Sequence, residues 1–198
     1  MSEAVAGEGV AHLLSAEDGA GAVEAALAFA EQTPETTRRR QLVWQDPVPT
    51  AAAGATMSGI EYMEAIVAGE LPPPPIAVTL RMGPTEIGDG RAVFHGEPGE
   101  EHYNPIGVVH GGYAATLLDS ALGCAVHTTL PAGVAYTSLG LEAKYVRPIT
   151  RDTGRVVCEA NVLYRGRRQA TAEANLTAAE SGKLLAHGAS TCMILELS

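Results

Sequence analysis

The first 37 residues contain no Lys or Arg at all, while they hold seven acids: Glu3, Glu8, Glu17, Asp18, Glu24, Glu31 and Glu35. No apolar run approaches the roughly 20 residues a membrane span needs. Without a basic n-region, and with Glu3 and Glu8 ahead of any apolar run, the N-terminus does not read as a secretory signal. Only three cysteines occur, Cys124, Cys158 and Cys192, far apart and without CxxC or Cys/His ligand spacing. That excludes a disulfide scaffold and a zinc site as working assumptions, and points to a reducing cytoplasm. The net charge of −10 speaks against a general nucleic-acid binder. Setting the acidic segment aside leaves 13 basic and 16 acidic residues in 198 minus 37 positions, close to balance. The remainder can therefore present a local basic patch to an anionic ligand.

What is present is 46% hydrophobic and organised. Residues 1–40 read as an acidic, mobile tail in which Ala22 to Gln32 has weak helical spacing. Arg38, Arg39 and Arg40 read as a solvated linker. Residues 41–75 hold a short helix and a proline-rich linker. Ser58 and Glu61 have capping-box spacing, Ile60, Met63, Ile66 and Val67 form an apolar stripe, Gly69 stops the helix, and Pro72 to Pro75 prevent its resumption. From Ile76 the pattern becomes strand-like, with two strands around Gly88-Asp89-Gly90. A long apolar helix follows, from Gly111 to about Thr129. Four more strands are expected: 137–146, with Leu139, Leu141, Ala143 and Tyr145 on one face; 155–163; 169–178, nearly strict in its alternation; and 184–195. Short Gly-containing links make the last three antiparallel neighbours. One buried helix among many adjacent strands defines an α+β layer, an antiparallel sheet wrapped over that helix.

The long helix carries one formal charge between Gly111 and Val126, Asp119. A helix apolar on nearly every side is buried, and an ionised carboxylate buried without partners costs several kcal/mol. Asp119 is therefore expected at a cleft, where a carboxylate can do acid/base or nucleophilic work. At the helix start, His110-Gly111-Gly112 offers N–H groups without intrahelical partners, close approach over glycine, and the positive end of the helix dipole. That is a place for a developing oxyanion. Eight residues separate Gly111 from Asp119, about 12 Å along one helix. Both cannot touch one carbonyl. If they serve one site, the carboxylate comes from a second subunit across a two-fold axis.

"HYNPIGVVHGGYAATLLDSALG" followed by "YTSLGLEAKYVRP" resembles the hotdog-fold acyl-CoA thioesterases of the phenylacetic acid degradation type, relatives of 4-hydroxybenzoyl-CoA thioesterase. The resemblance covers about residues 76–198 and implies a hotdog domain there, a homodimer, and a pairing of dimers into a tetramer. It implies hydrolysis of an acyl-CoA thioester without a metal or separate cofactor, coenzyme A being part of the substrate. It also implies roles. The Gly111 N–H polarises the thioester carbonyl, and His110 and Asn104 line that carbonyl's pocket. Asp119 is general base or nucleophile, and Ser138, with Thr137 beside it, positions water or the carboxylate. Gly112 joins the substrate-binding tip, and Arg165, Arg167 and Arg168 are candidates for the coenzyme A phosphates. Two other readings compete. One is a non-catalytic acyl-CoA or small-ligand binding hotdog protein. The other is a hotdog hydratase or dehydratase, whose Asp-x-Asn-Pro-x-His spacing fails here because His102 and Gly107 stand at the acid and histidine positions.

Overall fold

The computed structural model describes residues 21, 23–29 and 36–196. In the segment up to Gln41, residues 21 and 23–29 are helical; 23–29 fall inside the stretch expected to be helical, and residue 21 precedes it. Ala22, the stretch 30–32 and the first 20 residues of the expected tail lie outside the described residues.

From Leu42 the chain forms a second unit. Its first helix, α1 (Pro47–Gly54), starts where Asp46 accepts the Val48 N–H at 3.0 Å and Pro47 stands just inside the helix. Helix α2 (Gly59–Val67) carries the expected capping box: Glu61 Oε2 accepts the Ser58 N–H at 3.0 Å, and Ser58 Oγ accepts the Glu61 N–H. Gly69, at φ +75°, follows its end.

The proline segment does not lead directly into a strand, as the β-branched run after Ile76 suggests. Pro75–Leu80 is a short helix, α3. Proline at its start is pre-set for helical φ. Thr79 bonds back to the Pro75 carbonyl at 2.9 Å, and Arg81 ends the helix in the left-handed region at φ 51°. The first strand, β1 (Met82–Gly88), begins after that turn and pairs with β2 (Arg91–Gly96) around Gly90 at φ +71°.

The central helix α4 (Gly111–His127) is followed by β3 (Val134–Tyr145), β4 (Val156–Arg165), β5 (Gln169–Ala178) and β6 (Leu184–Glu196). These strands make one six-stranded antiparallel sheet in the order β1-β2-β4-β5-β6-β3. The expected hairpin neighbours β4, β5 and β6 are adjacent, and β3 closes one edge by pairing with β6. The sheet wraps α4, whose Leu117, Leu118, Ala121, Leu122 and Ala125 are fully buried. Ala170, Ala172, Ala174 and Leu176 of β5 face that helix from the sheet, as the alternation predicts. The architecture is a hotdog fold.

Of the register shifts in the sheet, the one in β3 bears on the site. In β3, Ser138 is opposite Cys192 and Gly140 is opposite Thr191, so Leu139 is an extra residue, a β-bulge. Leu141 and Ala143 pack on the core as expected, but Leu139 points out and is 53% exposed. The bulge reverses the parity of the strand, so the face read as continuous from Leu139 is interrupted there.

Candidate active site

Asp119 sits in mid-helix on the side of α4 that faces β3. Ser138 Oγ donates to Asp119 Oδ1 at 3.0 Å. The bulge at Leu139 makes this pairing compatible with the core. Tyr136 and Ser138 face the helix before it, and Leu141 and Ala143 do so after it. Asp119 is half-buried rather than sealed, so its carboxylate retains a route to a ligand. Thr137, next to Ser138, is exposed and points the other way along the alternation.

A cavity of about 420 Å³ opens beside this pair. The α4 face contributes Asp119, Ser120, Cys124 and His127, and β3 contributes Tyr136 and Ser138. The opposite wall is Tyr62, Met63 and Ile66 of α2, with Met82 and Phe94 from the strands. Gly123 makes room for Tyr136: a Cβ there would meet the tyrosine ring and hydroxyl at 2.7 Å. Cys124, Tyr62, Tyr136 and His127 around the cavity are held neutral at pH 7. Burial pushes the Cys124 thiol up to about 12, and it pushes the Tyr62 and Tyr136 hydroxyls above their ordinary values. Burial also lowers the His127 imidazole from 6.5.

The helix tip lies elsewhere. His110 is the N-cap of α4, its Nδ1 accepting the Gly112 N–H at 2.8 Å. That bond requires an unprotonated Nδ1. The Tyr113 N–H goes to the His110 carbonyl at 2.9 Å. Gly111 is left as the first helical residue whose N–H meets no acceptor among the described residues. It borders a second, smaller cavity of about 290 Å³ with His110, Tyr145 and Arg147. A Cβ at Gly111 would stand 3.2 Å from the Tyr145 ring, so the tip packs against the far end of β3 from Ser138.

Asn104 organises the loop before the tip. Its Oδ1 accepts from the Ile106 N–H at 3.1 Å and the Val108 N–H at 3.3 Å. This is the turn chemistry of an Asn-Pro pair. The loop is tied on by the His110 N–H, which bonds the His102 carbonyl at 2.8 Å. Arg165, Arg167 and Arg168 are exposed at the β4–β5 turn. Gln169 and Thr137 share Met193 as strand partner. The basic turn is thus two strands, about 10 Å, from Thr137. Among the described residues, no three or more His, Cys, Asp or Glu side chains gather where they could hold a metal ion. No helix among them is long and apolar enough to cross a membrane.

One chain therefore assembles the acid with its hydroxyl and cavity, and separately an amide tip. It does not bring Gly111 and Asp119 together. The sequence did not reveal Tyr62, His127 and Tyr136 as cavity residues. Only the i, i+4 and i+8 spacing of Asp119, Gly123 and His127 on one helix face hinted at a continuous wall.

A six-stranded antiparallel sheet wrapped around one central helix is the architecture of hotdog thioesterases. The thioesterase superfamily profile matches residues 106–185. Human acyl-coenzyme A thioesterase 13 is 33% identical over 102 residues, covering 52% of this chain and 71% of that protein. The mouse acyl-coenzyme A thioesterase 13 is 35% identical over 92 residues, covering 46% of this chain and 64% of that one. A phenylacetic acid degradation-related protein from Ralstonia eutropha JMP134 superposes with a TM-score of 0.61 at 28% identity, covering 67% of this chain and 98% of that one. A point mutant of the phenylacetic acid degradation protein PaaI from Thermus thermophilus gives 0.55 at 30% identity, covering 61% and 98%. The chain belongs to the thioesterase superfamily, and it is an enzyme of the thioesterase class.

Proposed function

We propose that this chain hydrolyses an acyl-CoA thioester to the free acid and coenzyme A, at a site shared by two copies of the chain. The observation that carries the reading is the Ser138–Asp119 pair, 3.0 Å apart at the mouth of a largely apolar cavity.

In this reading the acyl group enters the cavity and its carbonyl oxygen takes the Gly111 N–H of the other copy. Asp119 either removes a proton from a water that attacks the carbonyl carbon, or attacks it directly to give an anhydride that water then opens. In both routes the carbonyl oxygen becomes an oxyanion at the helix tip, and the C–S bond breaks. The sulfur leaves as thiolate and is protonated from solvent. Ser138 holds the carboxylate or the water in line. A thioester is electrophilic enough, and thiolate a good enough leaving group, for an acid and an amide to suffice.

The free edge of the sheet supports a shared site. β3 is an edge strand whose outer side has no strand neighbour among the described residues. Antiparallel pairing of two copies about an axis near Leu141 and Glu142 would set Ser138 of one beside Tyr145 of the other. Tyr145 packs at Gly111 and Ser138 binds Asp119, so this pairing unites the tip with the acid. Exposed Leu139, Leu163 and Tyr164 on the outer face suit a further pairing of dimers. Arg165, Arg167 and Arg168, about 10 Å from Thr137, suit the coenzyme A phosphates. In a thiol-release assay over aromatic, short-chain and long-chain acyl-CoA esters, we expect Asp119→Asn to lower turnover by about 100-fold or more while keeping acyl-CoA binding. Near-normal turnover in that variant would remove Asp119 from the mechanism.

A further inference from the structure

The family profile begins at residue 106, yet one wall of the cavity comes from residues well before it. We propose that α2 is the size gate of the acyl pocket, with Tyr62 and Ile66 fixing how large an acyl group the enzyme accepts, and that this group is compact and uncharged. The inference rests on the acyl-CoA reading above and adds the identity of the acyl group to it.

Geometry sets the limit. The cavity runs along α4 from Asp119 to His127, eight residues or about 12 Å. Its volume, about 420 Å³, lies toward the low end of the roughly 300–1,000 Å³ of small-molecule pockets. Helix α2 is docked at the end remote from Asp119. The Gly59 N–H donates to the Leu130 carbonyl at 2.9 Å, and Gly59 lies so close to the His127 carbonyl that no side chain fits between them. The capping box at Ser58 and Glu61 fixes the first turn on that anchor. One turn on, the Tyr62 ring stands 5.6 Å from the His127 ring, centroid to centroid, and His127 stands 5.5 Å from Tyr136. These three rings close the pocket, and Met63 and Ile66 narrow it from the side.

The lining also sets the charge. Among the described residues it contains the Asp119 carboxylate and no Lys or Arg. A second carboxylate on the acyl chain would be desolvated beside a like charge with no cation to meet it. The neutral imidazole and the protonated phenols around the closed end leave that balance unchanged.

The test uses the full chain and thiol release from a saturated series, butanoyl- to hexadecanoyl-CoA, together with succinyl-CoA. We expect kcat/KM to fall by about tenfold or more from the best substrate to hexadecanoyl-CoA, and to be as low for succinyl-CoA. Tyr62→Ala and Ile66→Ala should raise the hexadecanoyl-to-butanoyl ratio by about tenfold, and Ile66→Trp should lower it. Glu64→Ala, on the exposed side of α2, should leave the ratio alone. Calorimetric binding of the same esters to Asp119→Asn chains, with and without each α2 substitution, reads the gate independently of hydrolysis. A length preference that ignores all three α2 substitutions in both measurements overturns the gate. So does succinyl-CoA matching butanoyl-CoA. Absence of thiol release from every ester by the unsubstituted chain would instead strike the hydrolytic reading. The binding series would then decide the gate alone, and a flat series would end it.

Discussion

Ser138 and Leu141 face the same side of the sheet although three positions separate them. In an unbroken strand, residues i and i+3 point to opposite faces. The extra residue is Leu139, bulged between the Ser138–Cys192 and Gly140–Thr191 pairs. The bulge lets one strand present a hydroxyl to Asp119 and aliphatic side chains to the core in succession. Bulges that re-aim a side chain beside a site are a recurrent device.

Deleting Leu139 tests this directly. The repaired strand sets Ser138 two positions before Leu141, on one face, and keeps Ser138 opposite Cys192 and Gly140 opposite Thr191. The Ser138–Asp119 bond and the packing of Leu141 and Ala143 are then both kept. The deletion variant should therefore stay folded and turn over well above Ser138→Ala, which should fall about tenfold or more below the unmodified chain. Thiol release and urea midpoints of the two variants measure this. A deletion variant as slow as Ser138→Ala would mean that the bulged backbone itself, and not only the face it presents, positions the hydroxyl.

Gly123 and Tyr136 form a second obligatory pair. The cavity wall needs the tyrosine ring against the helix, and the ring fits only over a residue without Cβ. Gly123→Ala should destabilise by about 1–3 kcal/mol, the range for overpacking, despite alanine's higher helix propensity. Combining it with Tyr136→Ala should recover much of that loss. Urea midpoints of the two single variants and the double variant measure the coupling. Simple additivity would mean the clash relaxes elsewhere.

Much of this framework is legible in the sequence, and the reasons differ by element. β5 runs over Gln169–Ala178 as its strict alternation indicates, because one face is wholly buried and the other exposed. α4 ends at His127, within two residues of expectation, and the Ser58–Glu61 capping box is a local signal that the structure bears out. Asp119 stands out because a lone charge on a buried helix needs a reason. What escapes is decided non-locally. The Leu139 bulge exists only relative to β6, and α2 becomes a cavity wall only because Gly59 docks on the end of α4. The short helix at Pro75–Leu80 escapes for a local reason: its Ile, Val and Thr residues favour a strand, and the proline start outweighs them.

His127 gives the stability a pH dependence of defined sign. Its folded pKa lies below the ordinary 6.5 because burial disfavours the imidazolium. Below about 6.5 the unfolded chain binds a proton that the folded chain still refuses, so stability is lost as pH falls through that window. His127→Phe removes the titration and keeps a ring between Tyr62 and Tyr136. Urea midpoints at pH 7.5 and about 5.5 should differ less in His127→Phe than in the unmodified chain. Equal differences would place His127 in a solvated, unshifted state.

The separation of Gly111 from Asp119 within one chain leads to a complementation experiment. Gly111→Pro deletes the tip N–H and asks the exposed Tyr145 ring, 3.2 Å from a Cβ at this position, to shift slightly. Proline is favoured at the first helical position, and His110, at φ −61° and ψ 137°, already has the extended backbone that must precede it. Asp119→Asn deletes the acid. Each variant alone should be reduced by about 100-fold or more. In a mixed dimer, one site pairs the intact Asp119 of the first chain with the intact Gly111 of the second, and the other site lacks both. Random reassortment of equal amounts makes half the dimers mixed with one good site each, so about one quarter of the unmodified activity should return. Refolding the two variants together from urea, then measuring thiol release against the same variants refolded apart, reads this out. If activity after joint refolding only equals the sum of the two separate samples, each chain would have to complete its own site, and the amide that meets the carbonyl would not be that of Gly111 across the pairing.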